Sequence, residues 1–192
     1  MIINKRLLLV SILILSFCSV SYALKVENSF RNITWGMSKE EILKVESGMK
    51  FEKKELGEKN LIRSKTRLAG LKCFLIYTFV RDKLVGAAYL FDEIYQDKSD
   101  YQDDFDTLKE LLIQKYGELE SEDLVDKDAF YFMVDSNTEN YIHRITWKTN
   151  DTEIALFIDK SASEIDVFIT YDSIELMEWA EKILLEEDLE KL

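Results

Sequence analysis

The chain has 192 residues, with 25 Lys and Arg against 37 Asp and Glu, for a net charge of −12. A surface of that sign disfavours nucleic acid and anionic lipid and attracts basic partners. Two cysteines and a single histidine exclude a disulfide framework and any site that needs two histidines.

The first 23 residues have the layout of a secretory signal. Met1-Ile2-Ile3-Asn4-Lys5-Arg6 is a short basic start, Leu7 to Phe17 is an apolar run, and Ser21-Tyr22-Ala23 offers small residues at −3 and −1. The apolar run is too short to span a bilayer. Cleavage after Ala23 would leave residues 24–192 as one domain, periplasmic or secreted. Removing Lys5 and Arg6 with the signal takes the charge from −12 to −14. Leu15-Ser16-Phe17-Cys18 also resembles a lipidation signal, with Cys18 as the anchored residue in that alternative.

The first helical signal is Met37-Ser38-Lys39-Glu40-Glu41-Ile42, a capping box with a hydrophobic staple. It predicts a helix from Lys39 to Ser47, stopped by a left-handed Gly48. A strand over Ile62–Ala69 follows. Strands Leu71–Val80 and Leu84–Asp92 then flank the turn Arg81-Asp82-Lys83. Alternation groups Leu75, Tyr77 and Phe79 on one face, and Val85, Ala87, Tyr89 and Phe91 together.

Tyr101, Phe105, Leu108 and Leu112 recur at helical spacing, predicting a second helix from about Ser99 to Tyr116 that ends at Gly117. Strands are expected at Ala129–Val134, Tyr141–Lys148, Glu153–Ile158 and Ile165–Tyr171, with Asn150-Asp151 as a hairpin turn. A last helix opens at Asp172, with Ile174, Met177, Ala180 and Leu184 as its stripe. Residues 36–92 and 99–171 therefore read as two helix-plus-meander units. The expected fold is α+β, with antiparallel sheet, helices on one face and a C-terminal helix.

These motifs carry a resemblance. Gly36-Met37-Ser38-Lys39-Glu40-Glu41-Ile42 is similar to the helix opening of the small outer-membrane-assembly lipoproteins. The order of elements resembles the β-lactamase-inhibitor-protein-like superfamily. Trp35-Gly36-Met37-Ser38, Tyr77-x-Phe79 with Asp82-x-Leu84, and Leu112-x-x-Lys115-Tyr116-Gly117 are similar to uncharacterised exported bacterial proteins. The resemblance implies a binding scaffold without catalysis.

Few residues point to chemistry. His143 alternates with Ile145 and Trp147 on the core face, and Cys73 reads as a small buried hydrophobe. A thiol enzyme or small hydrolase would have to use one or both, with Ser136 or Ser161 as alternative nucleophiles. No Gly-x-Ser-x-Gly elbow, phosphate loop or zinc spacing supports it. Asp92, Glu93, Asp97, Asp100, Asp103, Asp104 and Asp106 form a dense acidic run. Calcium is the metal to weigh there, although the EF-hand order fails and a helix N-terminus attracts acids by itself. No cofactor is expected.

The sharper candidate is a protein-binding surface. With Ile165, Val167, Ile169 and Tyr171 inward, Phe168 turns outward beside Asp166 and Thr170. Phe157 alternates away from Ile154, Leu156 and Ile158. If the last two strands pair, the two rings form an aromatic patch for an envelope or secreted protein. The alternative is that the final helix covers them.

Overall fold

The computed structural model describes residues 30–56, 58–126, 141–160 and 165–190. The expected signal over 1–23 with Cys18, the strand at 129–134, and Ser136 and Ser161 lie outside these residues.

Ser38 starts α1 (Lys39–Val45) through a complete capping box. Glu41 N donates to Ser38 Oγ, and Ser38 N donates to Glu41 Oε2 at 2.8 Å. The helix ends two residues short of the expected Ser47, and Gly48 is not among the positive-φ glycines. Glu46 is the reason. Its buried carboxylate turns inward to Arg31 Nε at 2.7 Å and accepts from the Tyr77 hydroxyl at 2.8 Å.

Among the described residues, eight strands form one antiparallel sheet. They are β1 (Glu52–Leu56), β2 (Lys59–Leu68), β3 (Leu71–Val80), β4 (Lys83–Phe91), β5 (Ser121–Asp126), β6 (Tyr141–Lys148), β7 (Thr152–Lys160) and β8 (Ile165–Ser173). Their order is β1-β2-β3-β4-β8-β7-β6-β5. Two four-strand meanders thus meet at β4 and β8, and a helix precedes each: α1, and α2 (Ser99–Tyr116). The α+β class and the two helix-plus-meander units match the expectation.

Two hairpins close on two-residue turns with both residues left-handed. Ala69-Gly70 have φ of 54° and 87°, and Arg81-Asp82 have φ of 46° and 59°. That mirror-image turn follows the twist of the strands it joins. The second turn is one residue tighter than expected, so Lys83 pairs with Val80.

Helices α1 and α2 pack on the same face. Ile42, Phe105, Leu108 and Leu112 join Leu75, Tyr77, Phe79, Ala87, Ile145, Trp147, Leu156 and Ile169 in one core. A bulge beside Thr78 and Phe79 corrects one grouping. Leu84 points into this core and the extra residue, Val85, turns to the opposite face. There it meets α3 (Ile174–Glu190), whose Ala180 and Ile183 bury against Val80 and Val85. Ser173 Oγ caps α3 by accepting from Leu176 N at 3.2 Å. The terminal helix therefore lies on the sheet's second face, leaving Leu185 and Leu189 exposed.

Candidate binding face

The second face is built from every residue that the core does not use. Because the strands pair in register, these residues fall into rows across the sheet. One row runs Lys65, Phe74, Leu90, Phe168, Phe157 and Arg144, each directly opposite the next. Its four central side chains are half-buried. Phe157 and Phe168 stack with ring centroids 4.6 Å apart and planes at 13°.

Cations close both ends of this row. The Arg63 guanidinium lies 5.0 Å from the Phe74 ring centre and Lys65 Nζ lies at 5.6 Å. Arg144 sits 5.6 Å over Phe157 while its Nη2 donates to Glu153 at 2.6 Å. Such contacts draw a cation to the ring face. Thr170 faces Ala155 and Ala88 in the next row, and Asp166 lies across from Asp159 on the other flank. Phe157, Phe168, Asp166 and Thr170 thus share one face.

Helix α3 covers the far end of this face. It bounds a cleft of about 140 Å³ over Thr78, Val85, Gly86 and Asp172, two rows from the stacked rings. Sequence reasoning missed Phe74, Leu90, Arg63, Lys65 and Arg144. Alternation within β3 and β4 held part of the signal, since Phe74 and Ile76 oppose the core residues Leu75 and Tyr77. The row itself depends on β4 pairing with β8, which no local turn encodes.

Asp172 lies on the wall of the α3 cleft. A Cβ at Gly86 would come within 2.6 Å of its Oδ1, so glycine leaves the room this carboxyl occupies. Burial first, and then Glu153, raise its pKa from 3.8 to about 6, although Thr170, Arg144 and Lys59 pull it down. A raised folded pKa means that this group's contribution to stability is complete below pH 3.8 and is lost as pH rises through 6. Asp172→Asn should therefore melt higher than wild type at pH 7.5, by about 2–3 kcal/mol at most. The gain should vanish by pH 4 in thermal melts across that range. A variant that is less stable at pH 7.5 would show that the Lys59 and Arg144 attractions dominate.

Among the described residues, Cys73 and His143 are not brought together. Cys73 is buried in the core, and burial pushes its thiol up to about 11, away from the thiolate a nucleophile needs. His143 sits on β6 against Phe105, with Nε2 2.9 Å from Glu122 Oε1. Four strand spacings, about 19 Å, separate β3 from β6, so the two cannot act on one substrate atom.

The acidic run is spoken for at several positions. Glu93 accepts from Lys72 N at 2.7 Å, Asp97 from Ser99 N at 2.9 Å, and Asp104 from the Tyr95 hydroxyl at 2.6 Å. Among the described residues, no group of three or more His, Cys, Asp or Glu is placed to hold a metal ion. None of the described helices is long and apolar enough to cross a membrane.

Compared with known proteins, the chain matches no family model, no curated protein and no solved structure.

Proposed function

We propose that this chain is an exported, non-catalytic binding protein of the bacterial envelope, using the helix-plus-meander plan of the β-lactamase-inhibitor-protein-like superfamily. The basic-apolar-small layout of residues 1–23 supports export. The observation that carries the binding reading is the half-buried row Phe74–Leu90–Phe168–Phe157 with a cation at either end. Aromatic anchors amid polar groups, on a rigid sheet backed by two helices, lose little entropy on docking. Neither Cys73 nor His143 offers comparable support to an enzyme.

The test is capture from the chain's own cell envelope, with the tagged chain run beside its Phe157→Ala/Phe168→Ala variant. The rings stand outside the core, so the variant should keep its far-UV spectrum and unfold cooperatively. A specific partner held by wild type should be lost at least tenfold in the variant. Equal capture by both proteins would remove this face from consideration, and an unfolded variant would mean that the stack is structural.

A further inference from the structure

The sheet does not end alike at its two edges. Strand β1 pairs with β2 only as far as Glu52 opposite Arg63, and the chain then leaves for α1. The rest of β2, Ser64 to Leu68, pairs on its inner side with β3. Among the described residues, no strand pairs with it on its outer side.

Register identifies the groups left free. The two-residue turn makes Leu68 and Leu71 a hydrogen-bonded pair, so Ser64, Thr66 and Leu68 direct their N–H and C=O groups to β3. Lys65 and Arg67 direct theirs outward. Both side chains are exposed on the outer face, and Arg63 precedes them at the same spacing of two.

The charge here reverses that of the molecule. Residues 50–72 carry eight lysines and arginines against three glutamates, in a chain of net charge −12. Charges farther away than a Debye length of about 8–10 Å are largely screened. Of the nearby cations, Lys72 is paired with Glu93 at 3.3 Å and Arg63 with Glu52 at 2.9 Å, which leaves Lys65 and Arg67 to meet what approaches the edge. Beside it lies a cleft of about 470 Å³, where Lys50, Arg63 and Lys65 outnumber the single acid Glu52 and Phe74 supplies an apolar wall.

We propose that the outer edge of β2 at Lys65–Arg67 is a strand-addition site for an extended acidic peptide. The peptide lies antiparallel to β2 and exchanges main-chain hydrogen bonds with Lys65 and Arg67. Its carboxylates at alternate positions face the Lys65 and Arg67 side chains, while Arg63 stays paired with Glu52 of β1 at 2.9 Å. Main-chain bonds supply the affinity, and charge spacing supplies the selection. The added strand would extend the row of Lys65 and Phe74 by one position. The proposal rests on the binding-protein reading and specifies the chemistry of one partner, at the end of the row farthest from the Phe157–Phe168 stack.

The experiment is amide hydrogen exchange on the isotopically labelled full chain, titrated with a synthetic peptide alternating glutamate and valine. The Lys65 and Arg67 amides should slow at least tenfold at saturation, with binding weakening severalfold as salt rises from 50 to 300 mM. A peptide with glutamine for glutamate should bind at least tenfold more weakly. So should one N-methylated on the residues facing Lys65 and Arg67. Lys65→Glu/Arg67→Glu should abolish binding of the glutamate peptide and admit its lysine counterpart.

Arg67 also donates to the Gly70 carbonyl at 2.6 Å, so Lys65→Glu alone and the N-methylated peptide carry the test if the double variant misfolds. Equal binding of the glutamine peptide, or indifference to N-methylation, overturns the proposal. Protection already present in the free chain overturns it too. If that protection is independent of concentration, a segment of the chain itself occupies the edge; if it grows with concentration, a second copy does. Peptide binding that survives Phe157→Ala/Phe168→Ala while envelope capture fails would sink the aromatic face and leave the edge standing.

Discussion

Phe105→Ala should destabilise the protein by about 3–5 kcal/mol, the range found when a fully buried phenylalanine is emptied from a core. Phe105 has no exposed surface, and its ring lies 4.8 Å from that of His143. It is one of three buried contacts, with Leu108 and Leu112, by which α2 holds the sheet. In a domain of this size the loss corresponds to roughly 10–15 °C in Tm. Urea unfolding should give a lower midpoint with an unchanged slope, while Phe105→Leu should cost below about 1.5 kcal/mol because volume and polarity are nearly kept. The substitution also bears on binding, because α2 backs the strands that carry Phe157 and Arg144 on their other face. Partner capture should fall together with stability in Phe105→Ala, whereas in Phe157→Ala/Phe168→Ala capture should fall while stability is kept. A Phe105→Ala protein as stable as wild type would mean that α2 is not fastened to the sheet by this ring.

The elements with strong local grammar were legible in the sequence. The capping box at Ser38 and Glu41 fixed the start of α1, and the spacing of Tyr101, Phe105, Leu108 and Leu112 gave α2 at its observed length. Strands β3, β6 and β8 begin where alternation places them. The edge strands were missed. Glu52–Leu56 and Ser121–Asp126 are short and charged, with no apolar face to alternate, because an edge strand rimmed by solvent needs none.

The candidate face was half legible. Phe157 and Phe168 oppose each other in adjacent strands, and their outward side follows from the apolar residues on either side of them in the chain. Phe74 and Leu90 join them only through the register of β4 against β8, strands some eighty residues apart whose pairing is a property of the whole sheet. The bulge that turns Val85 toward α3 is equally non-local. It puts Leu84 in the core and Val85 on the opposite face, the reverse of what alternation back from Ala87, Tyr89 and Phe91 assigns them.

The end of α1 was misread because its cause is tertiary, and that makes Glu46 the second site of large effect. Its carboxylate is buried, paired with Arg31 and bonded by Tyr77, whose hydroxyl is pushed above the ordinary tyrosine range by burial and by Glu46. Tyr77 therefore remains a donor at physiological pH. Arg31 also donates to the Tyr89 hydroxyl at 3.2 Å, tying the segment before α1 to the sheet. Glu46→Ala leaves a buried hydroxyl without its acceptor and takes the carboxylate from Arg31, which is exposed and keeps its bond to Tyr89, at a cost of about 1–3 kcal/mol. Tyr77→Phe alone should cost about 1–2 kcal/mol, since Glu46 keeps Arg31. In the double variant no buried hydroxyl is left waiting for the carboxylate, so the two costs should fall short of additive by about 1 kcal/mol. Costs that add to within about 0.3 kcal/mol would mean that the carboxylate and the hydroxyl do not act together. Gly48→Ala supplies the contrast. A Cβ there meets nothing within 4 Å and φ is not left-handed, so the residue that the sequence marks as the helix stop should tolerate the change that Glu46 does not.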